Sequence, residues 1–119
     1  MDVDSLRTYC LAKPGVTETL PFGPDAFVFK VMGKMFALVN LEGEPLSLSL
    51  KCDPERAIAL REQFPQIEGA YHMNKKHWNS LQVKMLPPGL VTALIDHSYT
   101  LVTQNLPKKL QQELQNPQN

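Results

Sequence analysis

The sequence predicts an α+β domain: an antiparallel sheet with helices packed on one face. Three observations predict it. Residues 46–51, LSLSLK, alternate with period two between apolar and polar side chains. One wet face of that kind belongs to an antiparallel sheet, because a parallel strand is usually buried on both faces. Further along, residues 90–102 repeat their apolar positions with helical period. Finally, 119 residues with 43% apolar side chains suit one domain that folds without a metal or disulfide staple.

The elements follow in order. Asp2 or Asp4 can cap a first helix, with Leu6, Cys10 and Leu11 as its apolar stripe and Val3 as a staple. Pro14-Gly15 stops it, and TETLPFGPD, residues 17–25, reads as a loop rich in turn formers. AFVFKV then puts Phe27, Phe29 and Val31 on one side of a strand; Gly33 supplies a turn and MFALVN returns. In LSLSLK, Leu46, Leu48 and Leu50 point inward, with Ser47 and Ser49 outward.

Asp53-Pro54-Glu55 opens a helix that runs to about Phe64, where Pro65 ends it. IEGAYHM is a weak strand. HWNSLQVKM is a better one, with Trp78, Ser80, Gln82 and Lys84 on one side and Asn79, Leu81, Val83 and Met85 on the other. Asn74-Lys75-Lys76 joins them as a tight turn. Pro87-Pro88-Gly89 starts the long helix, and Leu106, Leu110 and Leu114 mark a last short one.

Formal net charge is zero, which argues against binding nucleic acid through a global field. The distribution is uneven. Residues 1–68 hold ten acidic and seven basic side chains, residues 69–119 two acidic and five basic, and no carboxylate side chain occurs from Gly69 to Ile95. A basic face on a neutral protein is therefore expected. Cys10 and Cys52 form no CxxC pair and read as reduced, buried thiols. The N-terminus is acidic where a signal peptide is basic. No apolar run reaches the roughly 20 residues of a membrane span. A soluble, cytoplasmic protein without membrane partners is expected.

Catalytic motifs are weak. His72, His77 and His97 match no zinc spacing, and HExxH is absent. Asp96-His97-Ser98 holds the residue types of a nucleophilic triad, but consecutive helix positions diverge by about 100°. Gly23 and Gly33 stand alone, outside any phosphate loop. Glu42 and Glu44 read as a solvated turn. No catalytic residue, metal or cofactor is expected, and the protein is read as a binding module, not an enzyme. Lys75 and Lys76 at the turn, with Lys84 further on, can reach a phosphate backbone; Asn74 and Asn79 offer base-edge hydrogen bonds and Trp78 a stacking face. Tyr71, His72 and Trp78 equally suit a pocket or a protein interface.

LPFGPDAFVFKVMGKMFALV, then YHMNKKHWNSLQV, then LIDHSYTLV with LPKK, resemble the YjbR/MmcQ-like family of small bacterial proteins over nearly the whole chain. The resemblance implies a frataxin/CyaY-like two-layer sandwich. It also implies a DNA-binding label, which rests on a proposed double wing of hairpins, and places Asn74, Lys75, Lys76, His77 and Trp78 in one wing-like element. Ser98 and Tyr99 match the family's Ser-Tyr helix motif, which looks structural. The family has no accepted catalytic residues to carry over. Iron handling of the frataxin kind is disfavoured, because Asp2 and Asp4 are followed by Arg7 and Lys13 and make a poor carboxylate ridge. The expected partner is double-stranded DNA, held weakly by Lys75, Lys76 and Lys84, with Lys108 and Lys109 joining if the last helix lies beside the sheet. The alternative is a protein-interaction or small-ligand module built from Tyr71, Trp78 and the Phe22 loop.

Overall fold

The computed structural model describes residues 1–42, 46–70 and 73–115. Asp2 caps the first helix, α1 (Val3–Leu11), by accepting the Ser5 N–H at 2.8 Å. Four strands follow: β1 (Val16–Thr19), β2 (Ala26–Val31), β3 (Lys34–Asn40) and β4 (Ser47–Lys51). Helix α2 (Pro54–Gln63) begins at the Asp53 cap and ends at Phe64. Then come β5 (Ile67–Gly69), β6 (Trp78–Gln82), a 3-10 turn (Val83–Met85), α3 (Pro88–Gln104) and α4 (Lys108–Gln115).

The six strands form one antiparallel sheet in the order β1-β2-β3-β4-β6-β5. The β2–β3 turn has Met32 at φ 50° and Gly33 at φ 84°, the two positive values that a tight primed hairpin turn requires. A bulge at Phe36 interrupts the β2–β3 register and turns both Phe36 and Ala37 into the interior, where each is fully buried. One core lies between sheet and helices. It joins Leu6 and Cys10 of α1, Ala57 and Leu60 of α2, and Val91, Leu94, Ile95 and Val102 of α3 to alternate residues of the strands. Among the described helices, none is long and apolar enough to cross a membrane.

Three expectations need correction. Residues 17–25 are not all loop: Val16–Thr19 forms edge strand β1, paired with β2. Its sequence, VTET, is too short and polar to show a period, and Arg7 on α1 holds Glu18 through two bonds of 2.9 and 3.0 Å. Met85 does not continue the inward face of β6; the 3-10 turn swings it out, 62% exposed. Ser49 does lie on the face away from the helices, opposite Leu38 and Ser80, yet it is only 9% exposed. Val28, on that same face, is 1% exposed. The sheet's second face is thus partly apolar and partly sheltered, more than its alternation implies.

Candidate functional site

The turn before β6 is built by Asn74. Its carbonyl accepts the N–H groups of His77 at 3.0 Å and Trp78 at 2.9 Å, and its side-chain oxygen accepts the Lys76 N–H at 3.0 Å. Asn74 Oδ1 is therefore engaged in closing the turn, as Asn side chains do. Arg61 of α2 braces the turn from below, donating to the Lys75 carbonyl and to Asn79 Oδ1, both at 2.9 Å. Asn79 donates in turn to the Ala57 carbonyl and is 2% exposed, so it is a structural residue whose amide cannot reach a base edge. The stem of Lys75 lies over Gly69 on β5, where an added Cβ would come within 3.0 Å of Lys75 Cγ.

Lys75 and Lys76 are exposed at the tip, His77 and Trp78 half-buried behind it. Lys84 is exposed at the other end of β6, roughly 20 Å away at about 3.4 Å per residue. Lys108 and Lys109 are exposed at the start of α4. A depression of about 320 Å³ beside Leu106 and Asn105 is flanked by Lys34 and Lys51, two lysines that the sequence reading did not single out. Lys51 is the strand partner of Trp78, so these two lysines gather at the same end of the sheet as Lys75 and Lys76. The depression also abuts the C-terminal end of α3, whose carbonyl dipole suits cations.

The largest of the concavities among the described residues lies on the sheet face opposite the core helices. It encloses about 670 Å³, and its described lining residues all come from strands and loops. Met35 and Leu38 of β3 and Trp78 of β6 make apolar walls, with Met73 beside them. Phe22, 73% exposed, overhangs from the β1–β2 loop. Between β3 and β6 runs β4, whose residues on this face include Ser47 and Ser49; neither serine is among the described lining residues. Asn40, Asn74, Asp25 and Glu42 supply the polar lining. Sequence reading had Trp78 and the Phe22 loop in hand; Met35 and Leu38 were hidden in a strand whose core face was the louder signal. Tyr71 and His72, also singled out, and Glu44 lie outside the described residues.

The triad residue types do not assemble. Asp96 accepts from the Tyr9 hydroxyl and the Lys13 ammonium. Burial pushes its carboxyl up, but Lys13 and Tyr9 outweigh it and hold the pKa below the usual value. His97 Nε2 accepts the Asp53 N–H at 3.1 Å; burial, helped by Arg56, lowers its pKa against the opposing pull of Asp53. Ser98 turns inward to the sheet and Tyr99 donates to the Pro14 carbonyl at 2.6 Å. Four consecutive residues of α3 thus fasten the end of α1 with Lys13-Pro14, the cap of α2 and the sheet. Burial pushes the Cys10 thiol up to about 12 and raises that of Cys52, which disfavours the thiolate form at both. Among the described residues no three His, Cys, Asp or Glu side chains converge as a metal set.

Residues 11–101 match the YjbR family model. The chain is 38% identical over 120 residues to the uncharacterized protein YbdF of Escherichia coli O157:H7, covering 96% of this chain and 98% of that one. It is 34% identical over 111 residues to the uncharacterized protein YjbR of Escherichia coli K12, covering 92% and 93%. The crystal structure of Deinococcus radiodurans protein DR2400, with its DUF419 domain, superposes with a TM-score of 0.87 at 43% identity, over 97% of this chain and 88% of that one. A Pseudomonas syringae protein superposes at 0.73 with 28% identity, over 85% and 98%. The matched span runs from the end of α1 to Leu101 in the last turn of α3 and includes both walls of the groove, and on that evidence the chain belongs to the YjbR family.

Proposed function

We propose that this protein is a non-catalytic binding module that takes a small, largely apolar ligand on its open sheet face. One observation carries the reading: the groove of about 670 Å³ between the Phe22 loop and Trp78. Its volume falls in the range of small-molecule pockets, which are mostly apolar with a few placed polar groups. Exposed apolar side chains gathered at one place mark a binding surface more often than scattered ones do. Helices α1, α2 and α3 all contribute to the core on the other side of the sheet, and we read this arrangement as a frataxin-like two-layer sandwich.

Trp78 is the only tryptophan, so its fluorescence reports on the groove alone. Titration with the neutral dye Nile red is expected to quench Trp78 and raise dye emission. Phe22→Ala is expected to weaken binding several-fold while leaving the melting temperature in place, since Phe22 is outside the core. No dye binding, or equal binding by the variant, overturns the reading.

Double-stranded DNA is a second reading, favoured by the placing of Lys34 and Lys51 at the Lys75–Lys76 end of the sheet. Phosphate contacts by those side chains give salt-sensitive affinity. Lys75→Ala/Lys76→Ala is expected to weaken DNA binding and flatten its salt dependence, and Lys84→Ala, at the far end of β6, to change neither. Equal binding by wild type and the double variant removes the turn from this account.

A further inference from the structure

Resting on that groove reading, we infer that the ligand is a small organic amine, a cation with an apolar body. The two charged side chains among the described lining residues are both carboxylates, Asp25 and Glu42. They are held together by the backbone. The Asp25 carbonyl accepts the Leu41 N–H at 2.8 Å, Ala26 pairs with Asn40, and Asn40 Oδ1 accepts the Glu42 N–H at 2.9 Å. Both carboxylates therefore stand at one end of the groove.

The opposite end combines the apolar Met35 and Trp78 with the amide of Asn74, holds no carboxylate among the described lining residues, and has Lys75 and Lys76 on the turn just beyond it. Met35 and Trp78 lie there, about 14 Å from Asn40 along the strands at some 3.4 Å per residue. Leu38 forms the floor between. The lysines nearest by register, Lys30 opposite Met35 and Lys51 opposite Trp78, are not part of the lining. An ammonium group placed between Asp25 and Glu42 gains two opposite charges and the face of the Phe22 ring. Its alkyl or aryl body then extends over Leu38 toward Trp78. An anion at the same end meets only repulsion.

The test uses three compounds of one shape: 4-phenylbutylamine, 4-phenylbutanol and 4-phenylbutyrate, each titrated against Trp78 fluorescence. The amine is expected to bind about five- to tenfold more tightly than the alcohol, the increment of two rim ion pairs, and the carboxylate to bind weakest. Asp25→Asn/Glu42→Gln is expected to bring the amine down to the alcohol while leaving the alcohol unchanged. Equal binding of amine and alcohol by wild type overturns the inference and leaves the groove reading standing. Tightest binding by the carboxylate overturns it by reversing the sign. No binding by any of the three overturns the inference and the groove reading together.

Discussion

The Ser98 hydroxyl donates to the carbonyl of Phe36 at 2.6 Å and accepts the N–H of Lys51 at 3.0 Å. Phe36 is the bulged residue of β3 and has no strand partner on either side. Pairing of β3 with β4 stops at Ala37 and Leu50, so Lys51 has no partner in that direction either. One side chain from α3 thus satisfies two backbone groups that the sheet cannot, at a position with no solvent access. A hydroxyl committed in both directions in this way is not a free nucleophile.

Ser98→Ala is expected to destabilise the protein by about 2 to 4 kcal/mol, the cost of a buried donor and a buried acceptor left without partners. Urea unfolding measures it directly. A change under about 0.5 kcal/mol, the level of an ordinary surface substitution, contradicts the role assigned to this hydroxyl.

His97 gives a pH dependence of defined sign. Its Nε2 accepts the Asp53 N–H, so the folded state holds the neutral ring, and burial lowers its pKa from 6.5. The unfolded chain therefore takes up the proton first as pH falls. Stability from this contact is present above about pH 6.5 and is lost as pH drops through the lowered folded value. His97→Gln keeps an acceptor that does not titrate in this range. Unfolding free energies at pH 7.5 and 5.0 are expected to differ less in the variant than in wild type. The same difference in both excludes His97 as a source.

Much of this architecture was legible in the residues themselves. LSLSLK and the stripe from Leu90 to Val102 announce their elements through period alone, because each has one face fixed against the core. Strand β1 was not legible, since four polar-edged residues at a sheet margin carry no period. The groove was legible only as its aromatic rim. Its walls meet only because β3 and β6 flank β4, and the placing of β6 inside β5 is a pairing that no local pattern encodes. The basic residues split for the same reason: Lys84 follows Lys76 closely in sequence, but a whole strand separates them in space.

Arg61 couples α2 to the turn that carries the lysines. It donates to Asn79 Oδ1 and to the Lys75 carbonyl at once. Arg61→Ala and Asn79→Ala are expected to be non-additive by about 0.5 to 2 kcal/mol, as side chains sharing one network are. Additivity within about 0.3 kcal/mol in a double-mutant cycle breaks the proposed brace.

The last helix packs tightly against Gly15 and is also tied by Gln111, which donates to the Gln104 and Leu106 carbonyls. Gly15 has φ +73°, and a Cβ added there would come within 2.4 Å of Leu114 Cδ2 on α4. The positive φ alone makes Gly15→Ala unfavourable by roughly 1 kcal/mol. The approach to Leu114 adds a second penalty, because that side chain must leave its place beside the core. None of the α4 residues is fully buried, so the helix has little other apolar contact to resist displacement. Gly15→Ala is therefore expected to lower the melting temperature and to speed amide exchange in Lys108–Gln115 selectively. Leu114→Ala removes the obstructing methyl. The double variant is expected to be less destabilised than the sum of the two singles, because the clash is counted once in the sum and is absent from the pair. Strict additivity, with unchanged exchange in α4, shows that Gly15 matters only for its backbone angle.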